Sequence, residues 1–171
     1  MNTLSKRNIH SPLGIITLIA SVRGLCALSF EDDQKCSSTV QKFKAYDKWT
    51  NHHVQTLTET EHWLDQYFAK KSIRLHLPML DLQGTAFLTS AWQKLLEVGF
   101  GKTLSYGELA KKLGSPNASR AIGRAMGQNP IPILVPCHRI IGANRTLTGY
   151  SAGLHRKIWL LEHEGFLIDH E

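Results

Sequence analysis

Cys137 and His138 stand side by side in the run Asn129-Pro130-Ile131-Pro132-Ile133-Leu134-Val135-Pro136-Cys137-His138-Arg139-Ile140-Ile141. A thiol is nucleophilic only as its thiolate, and an adjacent imidazole is a suitable base to make it so. Pro130, Pro132 and Pro136 exclude a helix. The segment is therefore predicted to be rigid and extended, delivering thiol and imidazole to a fixed place between apolar flanks. Successive residues of an extended strand point to opposite sides. His138 is thus expected to reach Cys137 through a bridging water or a local backbone twist. A third group comes from the last helical stretch, where Leu154, Ile158 and Leu161 recur at i, i+4 and i+7 and Glu164 continues that face. A carboxylate on a buried face needs a partner. A His held between it and the thiol would lower the thiol's pKa. The competing reading is a buried structural cysteine beside an unrelated histidine. Cys26, inside the apolar stretch Leu25–Phe30, fits that description, and Cys36, in a polar stretch, reads as an incidental thiol.

A second constellation lies just upstream. Ser105-Tyr106-Gly107-Glu108 has capping-box spacing and opens a short helix through Leu109, Ala110 and Leu113. Gly114-Ser115-Pro116 then breaks the chain, with Ser115 able to cap and Pro116 preset for a first helical turn. The next helix carries Ala118, Ala121, Ile122, Ala125 and Met126 on one face. Its other face shows Arg120, Gly123, Arg124 and Gly127. Two short helices joined by a Gly-containing turn are a helix-turn-helix or, equally, a packed helical hairpin. Arginines flanking glycines favour the former, because small residues let a helix come close to phosphate and sugar.

The elements that must position these groups fall into two halves. Ile15–Ala20 and Leu25–Phe30 alternate about Ser21-Val22-Arg23-Gly24 as a β-hairpin, a better reading than a signal peptide after Lys6 and Arg7. Helical stretches are predicted near Thr39–Lys48 and from a capping box at Thr58 and Glu61, followed by Trp63, Leu64, Tyr67 and Phe68. Ile73, Leu75 and Leu77 alternate as a strand ending at Pro78. His52-His53 lacks a further ligand at metal-site spacing and reads as a solvated loop. From Thr85 an apolar face of Phe87, Leu88, Ala91, Trp92, Leu95 and Leu96 is predicted to run until Gly99 and Gly101. The expected boundary near residue 83 gives an α/β half, 1–83, and a mostly helical half, 84–171.

Composition sets the outer limits. The chain has 171 residues, 42% hydrophobic and 20% charged, with a net charge of +6. These values exclude wholesale disorder. No apolar run approaches the roughly 18–20 residues of a membrane-spanning helix. Three widely spaced cysteines write neither a disulfide framework nor a zinc ribbon. The positive balance is compatible with a polyanionic partner. An intracellular protein with reduced thiols is expected.

Pro136-Cys137-His138-Arg139-Ile140, with Gly149-Tyr150 and Trp159-Leu160-Leu161-Glu162-His163-Glu164-Gly165 downstream, resembles the methylated-DNA–protein-cysteine methyltransferases. These are the O6-alkylguanine-DNA alkyltransferases. Ser105-Tyr106 and Ser119-Arg120-Ala121-Ile122-Gly123 fit in order and spacing, and the resemblance is dense from Phe87 to Gly165. It implies an N-terminal ribonuclease-H-like α/β domain followed by a helical domain with a winged-helix-like helix-turn-helix. It implies direct reversal of DNA damage: O6-methylguanine, with O4-methylthymine as a second lesion, is flipped out of the duplex and its alkyl group passes irreversibly to Cys137 in a single turnover.

Under this resemblance His138, through water, takes the proton of Cys137, and Glu164 orients and charges the imidazole. Asn129 braces the active-site turn. Tyr106 donates a proton toward the departing guanine, Ser151 hydrogen-bonds the guanine oxygen, and Tyr150 lines the pocket. Arg120 fills the gap left in the base stack. Ala118, Ser119, Gly123 and Arg124 belong to the helix face that lies in the minor groove. The implied partner is double-stranded DNA containing alkylated bases, met by a cytoplasmic monomer that needs no cofactor and binds no metal. Two residues depart from the family pattern. Ala152 stands where a glycine is usual, which implies a tighter pocket loop, and Arg145 stands where a turn glycine is common. A lesion binder without chemistry would lack the acceptor cysteine, and a plain helix-turn-helix regulator would leave Pro136–Ile140 and Glu164 unexplained.

Overall fold

Alternating apolar residues near the N-terminus pair into a three-stranded antiparallel sheet of order β1-β2-β3, formed by β1 (Ser5–Ser11), β2 (Gly14–Ser21) and β3 (Gly24–Phe30). The computed structural model describes residues 3–33, 38–44, 49–70 and 76–167. The predicted hairpin is β2–β3, with Ile16 opposite Phe30 and Leu18 opposite Leu28. Gly24, at φ +138, turns the chain where an added Cβ would strike the Met79 carbonyl. Strand β1 was hidden in the sequence because Lys6, Arg7 and His10 dilute its apolar signal, leaving Ile9 to pair with Ile16. Strand β3 is buried along its whole length. Cys26 and Ala27 pack in one cluster with Ile19 and with Val40 and Phe43 of α1 (Ser38–Lys44). Cys26 donates to the Ile19 carbonyl at 3.3 Å, and burial pushes its thiol up to about 12. It is a core residue. Cys36 lies outside the described residues, as do residues 73–75 of the strand predicted over Ile73–Leu77.

Helix α2 spans Val54–Phe68 and begins after His53, four positions before the predicted capping box. Thr58 and Glu61 are interior residues whose side chains receive Arg7 Nη1 at 3.1 and 2.7 Å. The i, i+3 spacing of a capping box recurs anywhere along a helix, so the pattern marked the helix and misplaced its start. His53 uses its ring to hydrogen-bond Thr3, and His52 is exposed.

The chain divides into two compact units, Met1–Gln83 and Gly84–Glu171. In the second, α3 (Ala86–Leu95) is capped by Thr85, whose hydroxyl accepts from the Leu88 amide, and it buries Ala91, Trp92 and Leu95. Phe87, predicted on that buried face, is 39% exposed. The helix also ends before the glycines expected to stop it. Trp92 Nε1 donates to the Ala125 carbonyl at 2.9 Å, fixing α3 on α5 (Ser119–Gly127). A two-residue β4 (Leu104–Ser105) pairs in parallel with β5 (Ile140–Ile141). Ser105 then caps α4 (Tyr106–Lys112), and the predicted capping box with Glu108 is complete in both directions. Helix α5 buries Ile122, Ala125 and Met126. It starts later than Pro116 suggested: the backbone of Ser115 accepts from Ala118 at 2.9 Å in a turn of its own. The last helix is α6 (Leu154–His163). The architecture is the expected one, an α/β unit followed by a helical unit with a helix-turn-helix. Among the described residues, no helix is long and apolar enough to cross a membrane.

Candidate active site

Asn129, fully enclosed after the end of α5, organises the proline-rich segment. Its side-chain oxygen accepts from the Ile131 amide at 3.0 Å, and its Nδ2 donates to the Val135 carbonyl at 2.7 Å and to Cys137 Sγ at 3.1 Å. The segment is not extended as predicted. The Val135 amide returns to the Ile131 carbonyl at 3.0 Å, and Cys137–Arg139 form a 3-10 turn. The prolines forbid a regular helix without forbidding tight turns, and the Asn129 amide closes the loop that they begin. Ile133 sits at φ 76, strained backbone for a β-branched residue, which a surrounding structure must impose. Side chains on a 3-10 turn diverge by about 120° per residue. Cys137, His138 and Arg139 therefore point in three directions, which replaces the opposite-face geometry expected of a strand.

His138 and Arg139 both reach Glu164, at the C-terminal cap of α6. Glu164 Oε1 accepts from His138 Nε2 at 2.8 Å and from Arg139 Nη2 at 2.9 Å. Its Oε2 accepts from Arg139 Nε at 2.8 Å and from the Gly101 amide at 3.0 Å. Burial would raise the Glu164 pKa, but the hydrogen bonds from His138 and Arg139, with the Arg139 charge, outweigh it and hold the carboxyl well below its usual range. The ionised carboxylate requires Nε2 of His138 to carry the hydrogen. Nδ1 is then a buried lone pair with no hydrogen-bond partner among the described residues, the arrangement of a base.

Two electrostatic expectations are corrected here. Burial lowers the pKa of His138; the hydrogen bond and charge of Glu164 oppose this, but with Arg139 and Lys157 adding to burial the net shift is downward, so Glu164 does not charge the resting imidazole. Burial likewise raises the Cys137 pKa, with Asn129, Lys157 and Tyr150 opposing it. The resting pair is neutral thiol and neutral imidazole. The sequence pattern suggested the His–Glu contact but not Arg139, which donates two hydrogen bonds to the carboxylate.

The buried face of α6 is also rotated from the predicted one. Leu154 is 43% exposed, whereas Lys157, Leu160, Leu161 and Glu164 are enclosed. Lys157 shares the stripe of Glu164 at i, i+7, and that spacing was the available signal for it. Its Nζ donates to the carbonyls of Ile140 at 2.7 Å and Thr148 at 2.8 Å.

A pocket of about 630 Å³ opens over Cys137. Cys137 is 3% exposed and lies at its floor. Tyr106, Tyr150 and Ser151 line its walls, and Ser119, Arg120 and Gly123 of α5 form its rim. The hydroxyl of Thr148 donates to Tyr106 Oη at 3.4 Å across the opening. Arg120 and Arg124 are exposed and Ala118 is half-buried; Arg124 and Ala118 stand on α5 outside the pocket lining. Ala152 is buried, with its carbonyl held by Arg156 Nη1 at 2.8 Å, so alanine is accommodated without a left-handed backbone. Arg145 does adopt one, at φ 59, and its guanidinium lies over the Phe166 ring at 4.9 Å.

Comparison with known proteins agrees with this geometry. Residues 4–82 match the family model for the 6-O-methylguanine DNA methyltransferase ribonuclease-like domain, and residues 86–166 match that for its DNA binding domain. A methylated-DNA–protein-cysteine methyltransferase from Methanosarcina acetivorans is 41% identical over 156 residues, covering 91% of this chain and 95% of the relative. One from Mycobacterium leprae is 52% identical over 101 residues, 59% of this chain and 61% of the relative. The crystal structure of Mycobacterium tuberculosis OGT in complex with DNA superimposes with a TM-score of 0.80 at 39% identity, covering 94% of this chain and 92% of that one. The fold and site define a DNA-binding protein with a buried thiol. The chain belongs to the 6-O-methylguanine DNA methyltransferase family.

Proposed function

We propose that this protein repairs O6-alkylguanine in duplex DNA by moving the alkyl group to Cys137, once per molecule. The observation that carries the reading is a single pocket with a buried thiol at its floor and the exposed face of a helix-turn-helix at its rim. An O6-methyl group is inaccessible inside stacked duplex, so the nucleotide must leave the stack to meet a thiol at such depth. Arg120, exposed at the rim, fills the vacated space. Ser119, Gly123 and Ala118 are small enough to let α5 approach the minor groove, and Arg124 meets backbone phosphate.

Chemistry follows from the resting protonation states. The thiol gives its proton through a water to Nδ1 of His138, and the imidazolium so formed faces the Glu164 carboxylate. The S–C bond forms as the C–O6 bond breaks, and the electron pair goes to the guanine. Tyr106 supplies a proton so that guanine leaves neutral, and Ser151 hydrogen-bonds its oxygen while Tyr150 packs against the ring. The S–C bond of a neutral thioether is not readily cleaved, so Cys137 is not regenerated. The same pocket takes O4-methylthymine as a second substrate. The protein acts as a cytoplasmic monomer, with residues 1–83 as the ribonuclease-H-like domain and 84–171 carrying DNA binding and catalysis.

Incubation with excess O6-methylguanine DNA, followed by peptide mass spectrometry, tests this. One methyl per protein on Cys137 is expected, with Cys137→Ser still binding duplex. Sustained turnover without an added donor, or methyl on another residue, overturns it.

A further inference from the structure

We propose that Lys157 is a positioning residue for the alkyl transfer: its ammonium ties the end of the turn carrying Cys137 to the Thr148 wall of the pocket and sets a buried positive charge behind that turn. This rests on the reading of Cys137 as acceptor. Lys157 is completely buried. Its two carbonyl acceptors come from either side of the site. Ile140 directly follows the Cys137–Arg139 turn, and Thr148 begins the stretch Thr148–Ser151 that lines the pocket. One side chain thus fixes the separation of nucleophile and wall.

A lysine is a costly choice for such a tie. A glutamine amide could donate to the same carbonyls, whereas an ammonium loses its hydration on burial. Among the described residues, no carboxylate forms an ion pair with Lys157. Glu164, the carboxylate that joins the site among the described residues, is occupied by His138 and Arg139. Burial lowers the Lys157 pKa to about 8, and the interaction that opposes this is with Cys137. The same interaction favours ionisation of the thiol, alongside hydrogen bonds from Asn129 and Tyr150.

A thiolate forming at Cys137 therefore finds a counter-charge already in place. Before attack no carboxylate of the described residues pairs with the cation; as the sulfur becomes anionic the pair is neutral. The Lys157 charge also adds, after burial and Arg139, to the lowering of the His138 pKa, which helps preserve its lone pair for the thiol proton. Other ionisable groups around this pair are Arg139 and Glu164, which neutralise one another beyond His138, and the phenol of Tyr106 across the pocket.

The test compares Lys157→Gln and Lys157→Met in the full-length protein. Thiolate formation at Cys137 is followed by ultraviolet absorbance against Cys137→Ser as blank, and methyl transfer from O6-methylguanine DNA is followed as a function of pH. Both variants are expected to need about tenfold less acidity to reach the same thiolate fraction. Transfer at neutral pH should fall by a similar factor and recover as the pH is raised. A rate loss equal at every pH, with the thiolate titration unmoved, overturns the charge role, and wild-type rates overturn both roles. The thiolate titration needs no DNA substrate, so it is readable even if wild type fails to transfer methyl, which would instead sink the functional reading. Should neither variant fold, NMR titration of isotope-labelled lysine Nζ in the wild type decides. The Lys157 signal should titrate at lower pH once Cys137 is capped by iodomethane, and an unchanged titration overturns the proposal.

Discussion

Replacing Glu164 by glutamine tests the buried ionic cluster on both stability and chemistry. The carboxylate accepts four hydrogen bonds, two from Arg139, one from His138 and one from the Gly101 amide. The Arg139 side chain is only 10% exposed and Glu164 is fully enclosed. Glu164→Gln leaves a buried guanidinium without its counter-charge, a change that costs about 3–5 kcal/mol when one partner of a buried pair is removed. The new amide must also turn its NH2 toward one of the present donors. If the NH2 replaces Oε1, His138 can accept it only by moving its hydrogen to Nδ1, which removes the lone pair needed for the Cys137 proton. If it replaces Oε2, it meets the Arg139 Nε and Gly101 donors, and the neutral oxygen left at His138 supports an imidazolium less than a carboxylate does. Alkylation should therefore slow as stability falls. The pH dependence has a definite sign. Glu164 is held below its unfolded pKa of about 4.3, so its contribution is complete above that value and is lost as pH falls toward the folded pKa. Urea denaturation of both proteins at neutral pH and across the acid range is the assay. The wild type should lose stability with acid more steeply than the variant. A difference below about 1 kcal/mol at neutral pH, the level of a surface pair, or identical acid slopes, would refute the reasoning.

Other perturbations separate further roles. Asn129→Ala strands the Ile131 amide in a buried loop, while the Val135 carbonyl keeps the Cys137 amide at 2.8 Å. It should cost about 1–3 kcal/mol for the unsatisfied group, with Cys137 losing a donor and titrating higher, and thermal melts and thiol titration measure both. Arg145→Gly relieves a left-handed backbone worth roughly 1–2 kcal/mol but removes the contact with Phe166, so a small net gain in melting temperature is expected and a clear loss would show that the cation–π contact dominates. Arg124→Ala should weaken all duplexes alike and reduce the salt slope by about one charge. Arg120→Ala should slow repair of duplex while sparing reaction with a free modified base, and a mismatch opposite the lesion should partly restore it. If the two arginine variants behave identically in binding and repair assays, Arg120 is one more phosphate contact.

What could be read in advance depended on how local each signal was. The β2–β3 hairpin, the Ser105 capping box and the apolar stripe of α5 are encoded by neighbours along the chain, and the structure contains them as expected. Glu164 was legible as an inward carboxylate because it continues the face of Leu154, Ile158 and Leu161, of which Leu161 is enclosed with it although Leu154 is exposed. The polar side chains that share that enclosure were less visible. Arg139 and Lys157 look like ordinary surface cations in a one-dimensional pattern, since hydrophobic periodicity assigns charge to solvent. Their burial follows from partners supplied at a distance, the carbonyls of Val98, Ile140 and Thr148 and the carboxylate of Glu164. The same dependence reversed the expected electrostatics. A cysteine–histidine–glutamate pattern suggests an activated thiol, yet Arg139 satisfies the carboxylate and burial governs His138 and Cys137, leaving both neutral. Activation is then a property of the occupied site: the entering base and the Lys157 charge must together make the thiolate stable at the moment it attacks. A resting thiol that stays protonated is also one that spends less time open to adventitious alkylation, which matters when each molecule has a single acceptor to lose.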